Sequence, residues 1–81
     1  MRRTKEEQDE FDKCIAIFKT YNDAPSEESR QAVINYAIWY SEKEKGETRL
    51  ISCCGIAAVY PYKKKEWVIC DRKDWRQVLL S

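Results

Sequence analysis

Apolar residues recur with helical spacing over roughly the first half of this chain and with strand-like spacing over the rest. Phe11, Cys14, Ile15 and Phe18 fall at i, i+3, i+4 and i+7, which predicts an amphipathic helix. Thr4 followed by Glu7 has the form of a capping box at its start, and the acids of its first turns complement the helix dipole. Pro25 ends it, because proline disfavours helix in the residue before it. Ser26 is a good N-cap and opens a second helix, with Glu27 and Glu28 in its first turn. The main apolar face of this helix is Ala32, Val33, Tyr36, Ala37 and Tyr40. Ile34 and Ile38 form another stripe on nearly the opposite side, flanked by Trp39. A helix in so small a domain needs one apolar stripe, so the extra one predicts cover on two sides or contact with a partner. Gly46 is the expected helix stop.

From Thr48 the runs shorten. Residues 50–54, 56–60 and 66–70 are rich in β-branched, aromatic and small side chains, broken at Gly55 and at 61–65. In the last run Trp67 and Ile69 face one side, Val68 and Cys70 the other. The first two runs read equally well as a hairpin or as one strand bulged at Gly55. Asp71 is placed to cap a short final helix carrying Trp75, Val78 and Leu79 on one face, too short to stand without docking on the sheet. The expected fold is one α+β domain over residues 1–81: two N-terminal helices, a small antiparallel sheet of two to three strands, and a short C-terminal helix.

Length and composition narrow the function. A chain of 81 residues buries only about 60% of its unfolded surface, leaving little room for a deep, dry active site. There is no histidine to act as a base, and only two glycines. No Gly-rich phosphate loop, EF-hand or paired zinc-ligand motif is present. The expectation is a protein that is not an enzyme, takes no cofactor and no small-molecule substrate, and binds no metal. The charged N-terminus lacks the apolar stretch of a signal peptide, and the longest uncharged run is too short for a membrane span, so the expected setting is cytoplasmic, away from membranes. In that reducing compartment Cys14, Cys53, Cys54 and Cys70 are expected as free, core-filling thiols. Cys53 and Cys54, as strand neighbours, are expected to point to opposite faces. Cys70, ahead of the final helix with the 63–65 lysines possible neighbours, is the best-placed thiol for nucleophilic work.

Charge is polarised although the net value is only +1. Residues 1–29 carry five basic and eight acidic side chains, and residues 61–81 carry six basic and three acidic. Two candidate surfaces follow. One is acidic, formed by Glu6, Glu7, Asp9, Glu10 and Asp12, with Ile34, Ile38 and Trp39 as an apolar anchor. It would engage a basic surface of a protein or nucleoprotein assembly. Small motif-free α+β proteins of this kind occur among phage and mobile-element inhibitors of host defence, including anti-CRISPR proteins, an analogy of size and composition. The other surface interleaves Tyr60, Tyr62, Lys63, Lys64, Lys65, Arg72, Lys73 and Arg76, and would bind single-stranded nucleic acid by stacking and phosphate contact. Tyr60 and Tyr62 are the aromatics expected at the surface. A homodimer sealed by Ile34 and Ile38 is the third possibility.

Overall fold

The structure is a computed structural model and describes residues 4–81; the charges at Arg2 and Arg3 lie outside the described residues. It is the expected α+β domain, with helices α1 (Lys5–Asp23) and α2 (Glu27–Lys43), strands β1 (Leu50–Cys53), β2 (Ile56–Val59) and β3 (Val68–Asp71), and helix α3 (Trp75–Leu80). Thr4 Oγ1 accepts the Glu7 N–H at 3.1 Å, supplying one half of the anticipated cap. At α2 both halves form. Ser26 Oγ accepts the Ser29 N–H at 3.0 Å, and Ser29 Oγ accepts the Ser26 N–H at 2.9 Å. A serine thus takes the place usually held by Glu or Gln in a capping box.

The end of α2 differs from expectation. Gly46 N–H donates to Ser41 C=O at 2.7 Å and Lys45 N–H to Glu42 C=O at 3.1 Å, the hydrogen-bond pair of a Schellman motif. The left-handed position of that motif falls on Lys45 (φ 61°), one residue before the glycine. The ambiguity at Gly55 resolves as a hairpin. Cys53 pairs with Ile56, and both residues of the two-residue turn, Cys54 (φ 56°) and Gly55 (φ 84°), have positive φ, as a type I′ turn requires.

The three strands form an antiparallel meander in the order β1-β2-β3, and β2 is buried on both faces. Ile56 and Ala58 join Cys14 and Phe18 of α1, Val33, Tyr36 and Ala37 of α2, and Trp67 in the main core. Phe18 meets Tyr36 edge to face, ring centroids 6.1 Å apart. The alternation read in the last strand holds, since Ile69 packs on this cluster with Trp67. Ala57 and Val59 point the other way and are also fully buried, with α3 packed against β2 and β3. Asp71 does not cap α3. It ends β3 opposite Ile56, makes no side-chain cap bond, and is separated from the helix by a 3-10 turn (Arg72–Asp74). Among the described residues no helix is long and apolar enough to cross a membrane.

Candidate interaction groove

Two side chains of α1 are buried, Cys14 and Phe18. Its first two turns therefore extend past the core, and Phe11, expected inside, is 43% exposed. Under this overhang lies an open groove between α1, α2 and β1, lined by Phe11, Cys14, Tyr36, Tyr40, Leu50 and Ile51, with Glu7 and Glu10 at its edge. The acidic surface anticipated from sequence thus adjoins an apolar anchor, but a different one from Ile34, Ile38 and Trp39.

Glu10 is engaged by Lys43 across the helices, Nζ to Oε2 2.6 Å. Asp12 accepts a hydrogen bond from Gln8 Nε2 at 3.0 Å. Among the described residues Glu6, Glu7, Asp9 and Asp12 make no ion pair, and all four are exposed.

The second apolar stripe of α2 is split by the fold. Trp39 (45% exposed) turns toward α1, its ring tilted on Tyr36 at 5.8 Å with Lys43 Nζ 5.5 Å from its centroid. Ile34 and Ile38 turn the other way, onto a shallow depression shared with Tyr60, Lys65 and Trp67. Ile34 is half-buried against the core, and Ile38 stays 40% exposed. Successive helical residues are rotated by about 100°, so Ile38 and Trp39 cannot share one flat contact surface.

The basic-aromatic segment is likewise divided. Lys63, Lys64 and Lys65 are exposed in the β2–β3 connection. Arg72 and Lys73 lie beyond the far end of β3, beside the hairpin turn, where Arg72 N–H donates to Gly55 C=O at 3.1 Å. The four residues of β3 between them span about 10 Å. Arg76 sits on α3 with its guanidinium 5.4 Å from the Trp75 ring. Tyr62 is exposed as expected, but Tyr60 is half-buried with its ring 5.5 Å from Trp67. The residue that sequence reading missed is Arg49. Its guanidinium stacks on Tyr62 at 4.3 Å and reaches Tyr60 at 5.5 Å, occupying a face a base would need. Arg49 lies one residue before β1, and its C=O accepts the Tyr60 N–H at 2.9 Å; only the hairpin register reveals this neighbourhood.

The thiols are not uniformly core-filling: Cys14 is buried, Cys53 and Cys70 are half-buried, and Cys54 is exposed. Burial raises the Cys70 thiol, and the carboxylates of Asp74 and Asp71 raise it further, opposite to the lysine-activated setting anticipated for a nucleophile. Cys53 and Cys54 do not diverge. The left-handed turn brings Cys54 Sγ to 3.3 Å from Cys53 Sγ, with Cys54 also directed at Ile15 C=O of α1 at 3.8 Å. Among the described residues no three His, Cys, Asp or Glu side chains converge to hold a metal ion. No protein-family model, no curated protein and no solved structure matches this chain.

Proposed function

We propose that this protein is a non-catalytic binding module that seats a basic, apolar-centred segment of a larger protein or nucleoprotein assembly in the groove under α1 and blocks that partner surface by occupying it. The observation that carries the reading is the meeting of charge and shape. Glu7 and Glu10 stand at the edge of a groove floored by Tyr36, Tyr40, Leu50 and Ile51. Complementary charge steers encounter and fixes orientation, while an apolar anchor in a desolvated pocket supplies most of the affinity. A strip of lysines or arginines around one aliphatic or aromatic side chain meets both requirements. Such strips line nucleic-acid channels, so occupation by α1 excludes the nucleic acid by steric and charge competition. That is the mode of action expected of a phage or mobile-element inhibitor of host defence, CRISPR effectors included.

The test compares wild type with Glu6→Lys/Glu7→Lys/Asp9→Lys and with Lys63→Glu/Lys64→Glu/Lys65→Glu in nuclease-treated pull-downs from source-cell lysate. Capture of a protein by wild type and the lysine variant, lost in the acid-face variant, is the expected result. Single-stranded nucleic acid held by wild type and released only by the lysine variant would put the 60–76 segment in its place. If neither variant alters what is bound, both surfaces are wrong. A homodimer through Ile34 and Ile38 is read by sedimentation of wild type and Ile38→Asp, and a monomer in both removes it.

A further inference from the structure

We infer that Cys53 and Cys54 form a peroxide-responsive dithiol site, in which Cys54 takes the oxidant and Cys53 closes the disulfide. The site stands on its own geometry, apart from the groove reading. Two thiols meet at the turn of the β1–β2 hairpin, where it abuts α1, with the Cys14 thiol buried in the core nearby. Cys53 Sγ and Cys54 Sγ are 3.3 Å apart, and Cys53 packs against the core cluster that holds Cys14 and Tyr36. Of the three, Cys54 is exposed and Cys14 is buried, so an oxidant from solvent reaches Cys54 first. Attack by the thiolate form is what the chemistry needs. Burial pushes the Cys53 thiol up to about 12, assisted by its hydrogen bond with Cys54, so Cys53 holds its proton until a sulfur electrophile is beside it.

The reaction balances with one hydroperoxide. The Cys54 sulfur attacks the outer peroxide oxygen, the O–O bond breaks, and the alcohol or water leaves with the proton from Cys54. Cys54 is then a sulfenic acid. The Cys53 sulfur attacks it, the S–O bond breaks, and the hydroxyl leaves as water with the Cys53 proton. Two thiols lose two electrons in all, and the hydroperoxide is reduced to an alcohol (or water) and a second water. Bond formation closes the sulfurs from 3.3 Å to about 2.05 Å. The Cα atoms of adjacent residues are 3.80 Å apart across a trans peptide, below the usual 4.4–6.8 Å of disulfides, so this bridge is strained and readily reduced. Ready reduction belongs to a reversible site rather than a structural bridge. Oxidation also removes the Cys54 proton directed at Ile15 C=O, and with it that hydrogen bond from the hairpin to α1.

The experiment treats the reduced full chain with hydrogen peroxide and follows intact mass and peptide maps, with and without a sulfenic-acid trap. Wild type is expected to lose two hydrogens, with the bridge mapped to Cys53–Cys54, and to regain them with glutathione. Cys70→Ser should behave as wild type. Cys53→Ser should give the trapped sulfenic acid at Cys54 and no bridge, and Cys54→Ser should give neither. A bridge involving Cys14 or Cys70, an intermolecular bridge, or oxygen addition at Cys54 of wild type without any bridge would each overturn the assignment. Circular dichroism of each serine variant separates loss of the reaction from loss of the fold.

Discussion

Lys45, Cys54 and Lys65 hold positive φ without being glycine, and the first two occupy turns whose chemistry is well defined. A side chain in the left-handed region costs roughly 1–2 kcal/mol against the right-handed one, a cost glycine does not carry. Lys45 is exposed and sits at the C′ position of the Schellman motif, so Lys45→Gly relieves that strain and loses no packing. Part of the gain is offset because glycine also frees the unfolded chain. A net stabilisation of about 0.5–1 kcal/mol is expected, seen as a melting temperature raised by several degrees, since 1 kcal/mol shifts a domain of this size by about 4–8 °C. An unchanged or lower melting temperature would mean that Lys45 makes a compensating contact. Cys54 occupies the first central position of its I′ turn, where Asn is preferred. Cys54→Asn should therefore keep the hairpin and stabilise it by a few tenths to about 1 kcal/mol. The opposite test is Gly55→Ala. A Cβ there meets nothing within 4 Å, so the whole cost, about 1 kcal/mol, comes from φ of 84°. These positions also explain two misreadings of the sequence: a lysine and a cysteine carry conformations normally signalled by Gly or Asn, so the C′ residue was placed one position late and the hairpin could not be told from a bulge.

At the scale of elements, the helices and strands were legible wherever periodicity and caps agreed. α2 is the clearest case: Ser26 begins it as expected, and Val33, Tyr36 and Ala37 are buried on the face they were assigned. Ser29 was not singled out, yet it closes the capping box from a nearly buried position, 8% exposed. Ser29→Ala leaves the Ser26 N–H without its partner and should cost about 0.5–2 kcal/mol. Urea titration should show a lower midpoint with unchanged slope; a changed slope would point to a wider loosening of the α1–α2 connection. What periodicity could not show is where an element leaves the core. Phe11 continues the i, i+3, i+4 pattern of α1, but it stays 43% exposed and becomes the lining of a groove. Nor could spacing along α2 tell which neighbours Ile38 and Trp39 meet, about 100° apart on the helix. The basic segment is spread along the fold for a related reason, since β3 stands between its lysines and its arginines. Sequence proximity is spatial proximity only until an extended element intervenes.

Across the whole molecule, the side chains that join α1, α2 and the sheet include a set of neutral acids. Cys14 of α1, Tyr36 of α2 and Cys53 of β1 meet in or against one cluster, and each is raised above its ordinary value with burial as the first cause. The free thiol value is 9.0, and Cys53 is held at about 12. A raised value means that the folded chain keeps protons the unfolded chain gives up, so between those limits stability falls as pH rises. The contribution is complete below pH 9.0 and is lost progressively as pH climbs through the folded value of about 12. Lys43, raised mainly by its hydrogen bond to Glu10, changes in the same direction, but the pair is exposed and adds little. The melting temperature is therefore expected to decline once pH passes 9.0, with no decline from these groups below it. Cys53→Ala should flatten the decline, because it deletes the most displaced thiol. Equal alkaline slopes in wild type and Cys53→Ala would show that the cluster is hydrated rather than sealed. In that case the order of events at the dithiol would change as well, because burial would no longer reserve Cys53 for the second step.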